Sequence, residues 1–138
     1  MKALEEKILK EGQVLPGNVL KVGSFLNQQV DAVFLKEMAK ETRRLFSGER
    51  ITKVLTVEAS GIAFATAVAM ELGVPMVFAK KHPSANVSGE QYSAAVYSYT
   101  HKQTYNVAVT KDYLSAADRV LITDDFLAGG NALKGLIS

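Results

Sequence analysis

The hydrophobic residues near the amino terminus follow the spacing of amphipathic helices. Leu4, Ile8 and Leu9 recur at helical spacing among charged residues, and Gly12 is placed to end that helix. A second helix is predicted after Asp31, whose side chain suits an N-cap, and should end near residues 47–48. The apolar stripe of this second helix, which we expect to be buried, consists of Leu35, Met38, Ala39, Thr42, Leu45 and Phe46.

Two apolar runs with the length of buried strands follow, at residues 51–57 and 74–80. Between them, residues 62–72 form an alanine-rich segment with helical periodicity, and Gly73 is placed to end it. A strand, a helix and a second strand of these lengths predict a right-handed βαβ unit within a parallel sheet. In such sheets ligands bind beyond the carboxyl ends of the strands, where residues 58–61 and 80–82 fall.

The remaining segments predict loops and a hairpin. Residues 14–30 sustain neither period, which indicates loop and short strand. Residues 81–91 are polar and rich in turn formers, so we expect a mobile loop that can close over a reacting centre. Residues 92–100 and 105–110 alternate around a short polar turn, which predicts a β-hairpin inserted between sheet strands.

Composition narrows the class of protein without identifying a ligand. The 138 residues are 48% hydrophobic and 22% charged, which is typical of one globular domain. Positive and negative residues are interspersed and the net charge is only +2, so nothing favours a nucleic-acid or membrane partner. There is no cysteine, which excludes disulfides and thiolate metal sites. We therefore expect a soluble cytoplasmic protein.

The most informative stretch is residues 119–132, which read RVLITDDFLAGGNA. A buried strand ends in Asp124 and Asp125, and a small-residue turn then opens a helix. Gly129 and Gly130 allow the backbone to approach an anion closely, and helix N–H groups would point at it. Two adjacent acids at a strand end would repel each other unless hydroxyl or amide groups donated hydrogen bonds to them or a cation bound beside them. The stretch therefore predicts a phosphate cradle beside a sugar or cation site.

Other familiar sites are absent from the sequence or poorly supported. There is neither a G-x-x-x-x-G-K-[ST] motif nor a G-x-G-x-x-G motif after the first strand. Ser60 is not a hydrolase nucleophile by its context, since Glu58 stands where G-x-S-x-G needs glycine. His82 and His101 are too few and too isolated for a metal site, so we interpret them as loop or surface residues.

The strand, the Asp-Asp pair, the small-residue loop and the helix together match the 5-phosphoribosyl-1-pyrophosphate (PRPP) loop of the type I phosphoribosyltransferases. Residues 19–31, VLKVGSFLNQQVD, and the hairpin residues 96–103 further resemble the bacterial xanthine phosphoribosyltransferases. The resemblance implies an α/β fold with a central parallel sheet, helices on both faces, a β-hairpin insertion and a small N-terminal hood. It also implies transfer of the phosphoribosyl group from PRPP to xanthine in purine salvage, with magnesium, in a homodimer.

The resemblance assigns roles to particular residues. Asp124 and Asp125 would be catalytic and hold the ribose hydroxyls, directly or through Mg²⁺ that arrives with PRPP rather than on dedicated protein ligands. Ala59, Ser60 and Lys81 would bind the pyrophosphate, and Leu20 and Asn27 the purine. The residues that would cradle the 5-phosphate through backbone amides are Ala128, Gly129, Gly130, Asn131 and Ala132.

Two alternatives to xanthine transfer stay open at this stage. The PRPP loop is equally compatible with adenine or another 6-oxopurine as the acceptor, and only residues 19–31 argue against these. A PRPP-sensing regulator that binds nucleic acid would be expected to show a basic face. The resemblance also implies that family members continue beyond Ser138 with further sheet strands. We therefore expect residues 1–138 to be a single phosphoribosyltransferase domain that lacks its C-terminal strands.

Overall fold

The fold is built on a parallel sheet to which a hairpin and a separate N-terminal unit are attached. The computed structural model describes residues 1–17, 19–81, 90–98, 102–127 and 129–138. The helices are α1 (Lys2–Glu11), α2 (Ala32–Leu45), α3 (Ile62–Leu72) and α4 (Asn131–Ile137), with a π-helix at Gly23–Asn27 and a 3-10 helix at Lys111–Tyr113. The strands are β1 (Gln13–Leu15), β2 (Val19–Lys21), β3 (Lys53–Val57), β4 (Met76–Ala79), β5 (Gln91–Ser98), β6 (Gln103–Thr110) and β7 (Val120–Ile122).

The predicted βαβ unit is present. Strands β3 and β4 are parallel and joined by α3, and β7 pairs in parallel with the other side of β3, giving the order β4-β3-β7. Gly73 ends α3 at a φ of 69°, a left-handed conformation in which glycine carries no steric penalty. The carboxyl ends of all these strands therefore meet at one edge of the sheet.

The two faces of the sheet are covered differently. Helices α2 and α3 cover one face, where a cluster of buried residues lies: Ala39, Val54, Ala65, Val68, Ala69 and Leu121. The hairpin and α4 cover the other face, where the buried residues are Leu55, Val57, Ala79, Val96, Val107 and Val109. The expected α/β architecture with helices on both faces is confirmed.

The hairpin is formed by β5 and β6, which pair antiparallel along their whole lengths. Lys80, just after β4, pairs with Ala108 of β6 through two backbone hydrogen bonds of 2.9 and 3.0 Å. This pairing attaches the hairpin to the edge of the sheet. Residues 99–101, including His101, and residues 82–89, including His82 and most of the expected mobile loop, lie outside the described residues.

The N-terminal unit, here called the hood, consists of residues 1–31 packed on α2. Its buried cluster contains Val22, Phe25 and Leu26 together with Leu35 and Met38 of α2. Asp31 caps α2 as predicted, accepting a hydrogen bond from the Phe34 amide. Lys7 of α1 reaches the same carboxylate at 2.9 Å, so α1 is tied to the start of α2.

Two details of the sequence-based prediction were wrong. Leu45 and Phe46 do not belong to the buried stripe of α2, because their side chains are 64% and 38% exposed. Periodicity identifies the apolar face of a helix but not how far the covering elements extend along it. The predicted strands were also too long, since β3 begins at Lys53 and β4 spans only Met76–Ala79.

Candidate active site

The turn between β3 and α3 lies at the carboxyl edge of the sheet. Ala59 and Ser60 are exposed there, and the Glu58–Ala59 peptide bond is cis. Gly61 is buried, and a Cβ at this position would lie 2.4 Å from Thr56 Oγ1 and 3.0 Å from Asp124 Oδ1. Only glycine allows the turn to approach β3 and the Asp124 loop so closely.

Lys81 lies beside this turn, at the end of β4. Its backbone N–H donates to Glu58 Oε1 at 2.6 Å, which joins the segments that follow β3 and β4. Its ammonium group lies 5.4 Å from the centre of the Tyr105 ring of the hairpin, within the range of a cation–π contact. Lys81 thus holds a positive charge at the junction of sheet and hairpin.

Asp124 and Asp125 follow β7 at the same edge. Asp124 Oδ1 accepts from the Asp125 amide and Asp125 Oδ1 accepts from the Phe126 amide, each at 2.9 Å. Burial raises the pKa of Asp124 to about 6, and the neighbouring Asp125 carboxyl adds to this shift while Lys81 opposes it. Burial, and secondarily the charge of Asp124, also raise the pKa of Tyr105. A positive charge bound nearby would therefore stabilise the ionised form of the two carboxylates.

The predicted phosphate cradle follows at residues 129–132. Gly130 has a φ of 76° and its amide donates to the Leu127 carbonyl at 2.7 Å, which forms the turn that opens α4. The Asn131 side chain donates to the Tyr97 carbonyl at 3.0 Å, so the start of α4 is held against the hairpin. Amides in the first turn of a helix lack partners within the helix and are available to an anion. Ala128 lies outside the described residues.

A cavity of about 320 Å³ opens between the hood and the carboxylate pair. Asp124, Asp125 and Phe126 line one side of it, and Leu20 and Phe25 of the hood line the other. The rest of the lining is mostly apolar, with Glu41 and Thr42 of α2 as its other polar residues, and a largely apolar cavity with a few polar groups is typical of small-molecule sites. Leu20 therefore lines the same cavity as Asp124 and Asp125.

Asn27 lies in a different place. It lines a second cleft of about 640 Å³ formed within the hood, which Leu20 also borders. Asp124 and Asp125 are not among the residues lining this cleft in the described part of the chain. Leu20 thus lines the same cavity as the two carboxylates, whereas Asn27 lines only the second cleft.

The site combines the Lys81 ammonium group, paired carboxylates and the loop that opens α4, around the ends of β3, β4 and β7. Such a set can hold an anionic leaving group on one side and stabilise a developing positive charge on the other. Within the described ranges, no cluster of three or more His, Cys, Asp and Glu side chains could enclose a metal ion. A metal here would need ligands from a bound substrate as well as from the protein.

Comparison with known proteins decides the family. A family model described as the phosphoribosyl transferase domain matches residues 24–138. This chain belongs to the phosphoribosyltransferase family. A xanthine phosphoribosyltransferase of Lachnoclostridium phytofermentans is 55% identical over 99% of the chain, and one of Lactobacillus johnsonii is 54% identical over 100%. The chain covers 71% and 72% of the lengths of these two relatives.

Solved structures of phosphoribosyltransferases share the fold. An APRTase from Giardia lamblia matches with a TM-score of 0.79 over 94% of this chain and 72% of its own, at 24% identity. The adenine phosphoribosyltransferase of Saccharomyces cerevisiae gives a TM-score of 0.74 over 99% of this chain and 79% of its own, at 18% identity. At these identities the comparison shows the type I phosphoribosyltransferase fold and does not bear on the purine.

Several residues that the sequence did not single out contribute to the site. Glu58 anchors the Lys81 segment, Tyr105 faces Lys81 and Asp124, and Phe126 lines the cavity. Glu58 had a usable signal, because it follows a buried strand directly, as Asp124 does. Tyr105 had none, since its position depends on how the hairpin folds back on the sheet.

Proposed function

We propose that this chain transfers the 5-phosphoribosyl group of PRPP to xanthine, giving XMP and pyrophosphate in purine salvage. The observation that carries this proposal is the 55% identity to a xanthine phosphoribosyltransferase over 99% of the chain. That match includes most of residues 1–23, which the family model does not reach and which form much of the hood. The segment that faces the cavity is therefore shared with relatives of this name, and not only the common PRPP loop.

In this proposal the carboxylates act on the ribose. Asp124 and Asp125 hold the ribose hydroxyls, and their negative charge stabilises the oxocarbenium-like sugar that forms as pyrophosphate leaves. The amide hydrogen bonds to both carboxylates fix their orientation before the substrate arrives. No covalent nucleophile is required, since xanthine itself attacks the sugar.

The phosphate groups of PRPP bind at two loops, the one that follows the carboxylates and the one between β3 and α3. Residues 128–132 cradle the 5-phosphate through backbone amides, with the turn at Gly130 presenting the start of α4. Ala59, Ser60 and Lys81 bind the pyrophosphate, and the exposure of Ala59 and Ser60 leaves their backbone accessible to it. Lys81 neutralises part of the charge on the leaving group.

The carboxylates also fit a magnesium ion that enters with PRPP. Mg²⁺ is commonly held by one or two carboxylates together with substrate phosphates, and Asp124 and Asp125 provide that number. The raised pKa of Asp124 agrees, because a cation would relieve the repulsion between the two acids. When bound, the ion would offset charge on the pyrophosphate as it departs.

The purine occupies the cavity between the hood and the Asp124 loop. Leu20 supplies an apolar surface for the flat ring, and Asn27 is proposed as a polar purine contact on the resemblance alone. We further propose a cytoplasmic homodimer that acts on small molecules and binds neither nucleic acid nor a membrane. Among the described helices, none is long and apolar enough to cross a membrane.

A purine panel tests this function. The 138-residue chain is assayed with PRPP and Mg²⁺ against xanthine, hypoxanthine, guanine and adenine, and the nucleotides are separated by chromatography. We expect XMP to form with a kcat/KM at least ~10-fold above that of the other products. The variant Asp124→Asn/Asp125→Asn should lose turnover while its circular dichroism stays native. A preference for adenine, or near-normal turnover by the double variant, would contradict the proposal. PRPP-sensitive binding to duplex DNA would favour a regulator instead.

A further inference from the structure

Two buried threonine residues lie on neighbouring strands near the candidate active site. Thr56 and Thr123 are 0% and 7% exposed, and in the described part of the chain neither Oγ1 has a hydrogen-bond partner. They follow directly after the paired residues Leu55 and Ile122, so Thr56 near the end of β3 and Thr123 just after β7 lie on the same face of the sheet. Valine has the same shape without a polar atom, so each orphaned hydroxyl costs stability that valine would not.

The Thr56 hydroxyl borders the space left by the missing side chain of Gly61. A Cβ on Gly61 would lie 2.4 Å from Thr56 Oγ1, and the same point is 3.0 Å from Asp124 Oδ1. Both oxygens therefore border the same space beside the buried Gly61. Asp124 Oδ1 already accepts from the Asp125 amide, but a carboxylate oxygen can accept a second hydrogen bond, and a threonine hydroxyl can rotate to supply it.

We propose that Thr56 positions Asp124 for phosphoribosyl transfer: its hydroxyl, unpaired in this structure, donates a hydrogen bond to the Asp124 carboxylate once PRPP is bound, and Gly61 lacks a side chain so that the two groups can meet. This inference rests on the proposed function, because it assigns Asp124 to the ribose. Thr56 touches no substrate itself and acts only through Asp124. A small error in the orientation of a catalytic group lowers the reaction rate strongly. A gain in rate from a correctly oriented Asp124 would therefore explain why an unpaired hydroxyl is kept at this buried position.

The alternative is that the hydroxyl has no role and threonine simply fills a β-branched strand position. The two explanations predict different behaviour for Thr56→Val, which keeps the shape and removes the hydroxyl. If Thr56 only packs, the variant gains stability and keeps its activity. If Thr56 positions Asp124, the variant keeps or gains stability but loses function.

The experiment compares Thr56→Val, Thr56→Ser and the matched control Thr123→Val in the 138-residue chain. Thermal unfolding, the affinity for PRPP with Mg²⁺ by calorimetry, and kcat with both KM values are measured for each. We expect Thr56→Val to lower kcat and PRPP affinity about tenfold, with an unchanged xanthine KM and no loss of thermal stability. Thr56→Ser should stay within about twofold of the wild type, since it keeps the hydroxyl. Thr123→Val should be at least as stable as the wild type and equally active.

Three results would overturn the inference: wild-type behaviour of Thr56→Val, a serine variant as impaired as the valine variant, or equal impairment in Thr123→Val. A wild-type chain that binds PRPP but forms no XMP would defeat the proposed acceptor alone, because the PRPP affinities of the variants would still decide the role of Thr56. A wild-type chain that does not bind PRPP would overturn both proposals.

Discussion

The backbone N–H of Lys81 donates a hydrogen bond of 2.6 Å to the Glu58 carboxylate, across the ends of two parallel strands. Glu58 in turn has its own amide bound to the carbonyl of Ala79, the last residue of β4. These two bonds fix the turn that carries Ala59 and Ser60 relative to the segment that carries Lys81. The residues proposed to bind pyrophosphate are thus held together before any ligand arrives.

This arrangement predicts a graded effect of substitutions at Glu58. Glu58→Ala removes the acceptor and should raise the KM for PRPP several-fold, at a cost of about 1 kcal/mol in the free energy of unfolding. Glu58→Gln keeps a side-chain oxygen that can accept from Lys81, so its KM should lie between those of the wild type and the alanine variant. Steady-state kinetics and urea unfolding of both variants check this. Identical kinetics for the alanine variant and the wild type would show that the anchor does not matter for PRPP.

The raised pKa of Asp124 predicts a stability penalty at neutral pH. The pKa of Asp124 rises from 3.8 to about 6 on folding, so its ionised form is less stable in the folded chain than in the unfolded chain. Ionisation of Asp124 above pH 6 therefore lowers the free energy of unfolding. In the absence of ligands, Asp124→Asn should therefore be more stable than the wild type by ~1–2 kcal/mol at pH 8, allowing for partial screening by solvent. The difference should shrink as the pH falls from about 6 to about 4 and vanish below it.

Asp118 provides a control of opposite sign. The Ser115 amide, the Thr52 hydroxyl and Lys53 lower the pKa of Asp118, so its ionised form stabilises the fold. Asp118→Asn should therefore be less stable than the wild type at pH 8, and this loss should diminish as the pH falls below 4. Denaturant unfolding of both variants across about pH 3–8 separates the two signs and covers both transitions. If Asp124→Asn were less stable than the wild type at pH 8, the raised pKa of Asp124 would be contradicted.

The close packing around Gly61 predicts that a single methyl group is not tolerated there. In Gly61→Ala the new Cβ would collide with Thr56 Oγ1, so the turn must shift, and we expect a loss of about 1–3 kcal/mol in the free energy of unfolding together with a sharp drop in kcat. Gly48→Ala is the matched control, since no described atom lies within 4 Å of its Cβ position. The control should be neutral or slightly stabilising. Equal stability of the two variants by thermal unfolding would argue against the close contact.

The hood cavity predicts a selective effect on the acceptor. Leu20→Ala should raise the KM for xanthine about tenfold by removing apolar contact with the ring, and leave the KM for PRPP nearly unchanged. Asn27→Ala should also raise the xanthine KM more than the PRPP KM, as the resemblance implies. Because Asn27 lines the second cleft rather than the one that holds Asp124, it is the sharper test of the two. Equal changes in both KM values would refute a purine role for the residue concerned.

Local signals in the sequence were sufficient for the regular elements. Asp31 caps α2 and Gly73 ends α3, because a cap or a left-handed glycine acts through its immediate neighbours. The π-helix at Gly23–Asn27 was missed, since it buries the adjacent residues Phe25 and Leu26 and so follows neither the helical nor the strand period.

Long-range relationships were the part that the sequence could not provide. The sequence did predict that Asp124 and Lys81 follow strand ends at one edge of a parallel sheet, and the structure has them there. That Glu58 would anchor Lys81, or that Tyr105 would face it, depends on how the hairpin returns to the sheet. That Leu20 lines both the cavity and the second cleft, while Asn27 lines only the second cleft, likewise depends on how the hood folds.

The hood has its own buried cluster, built from Val22, Phe25 and Leu26 against one side of α2, distinct from the clusters on the two faces of the sheet. The hood cluster and the cluster under α2 and α3 are linked through α3, because Phe64 packs against both of them, and Phe64 also lines the cavity. Under the proposed function, the choice of nucleobase can therefore be altered from the hood and equally from α2, α3 and the Asp124 loop, because residues of all four segments line the cavity.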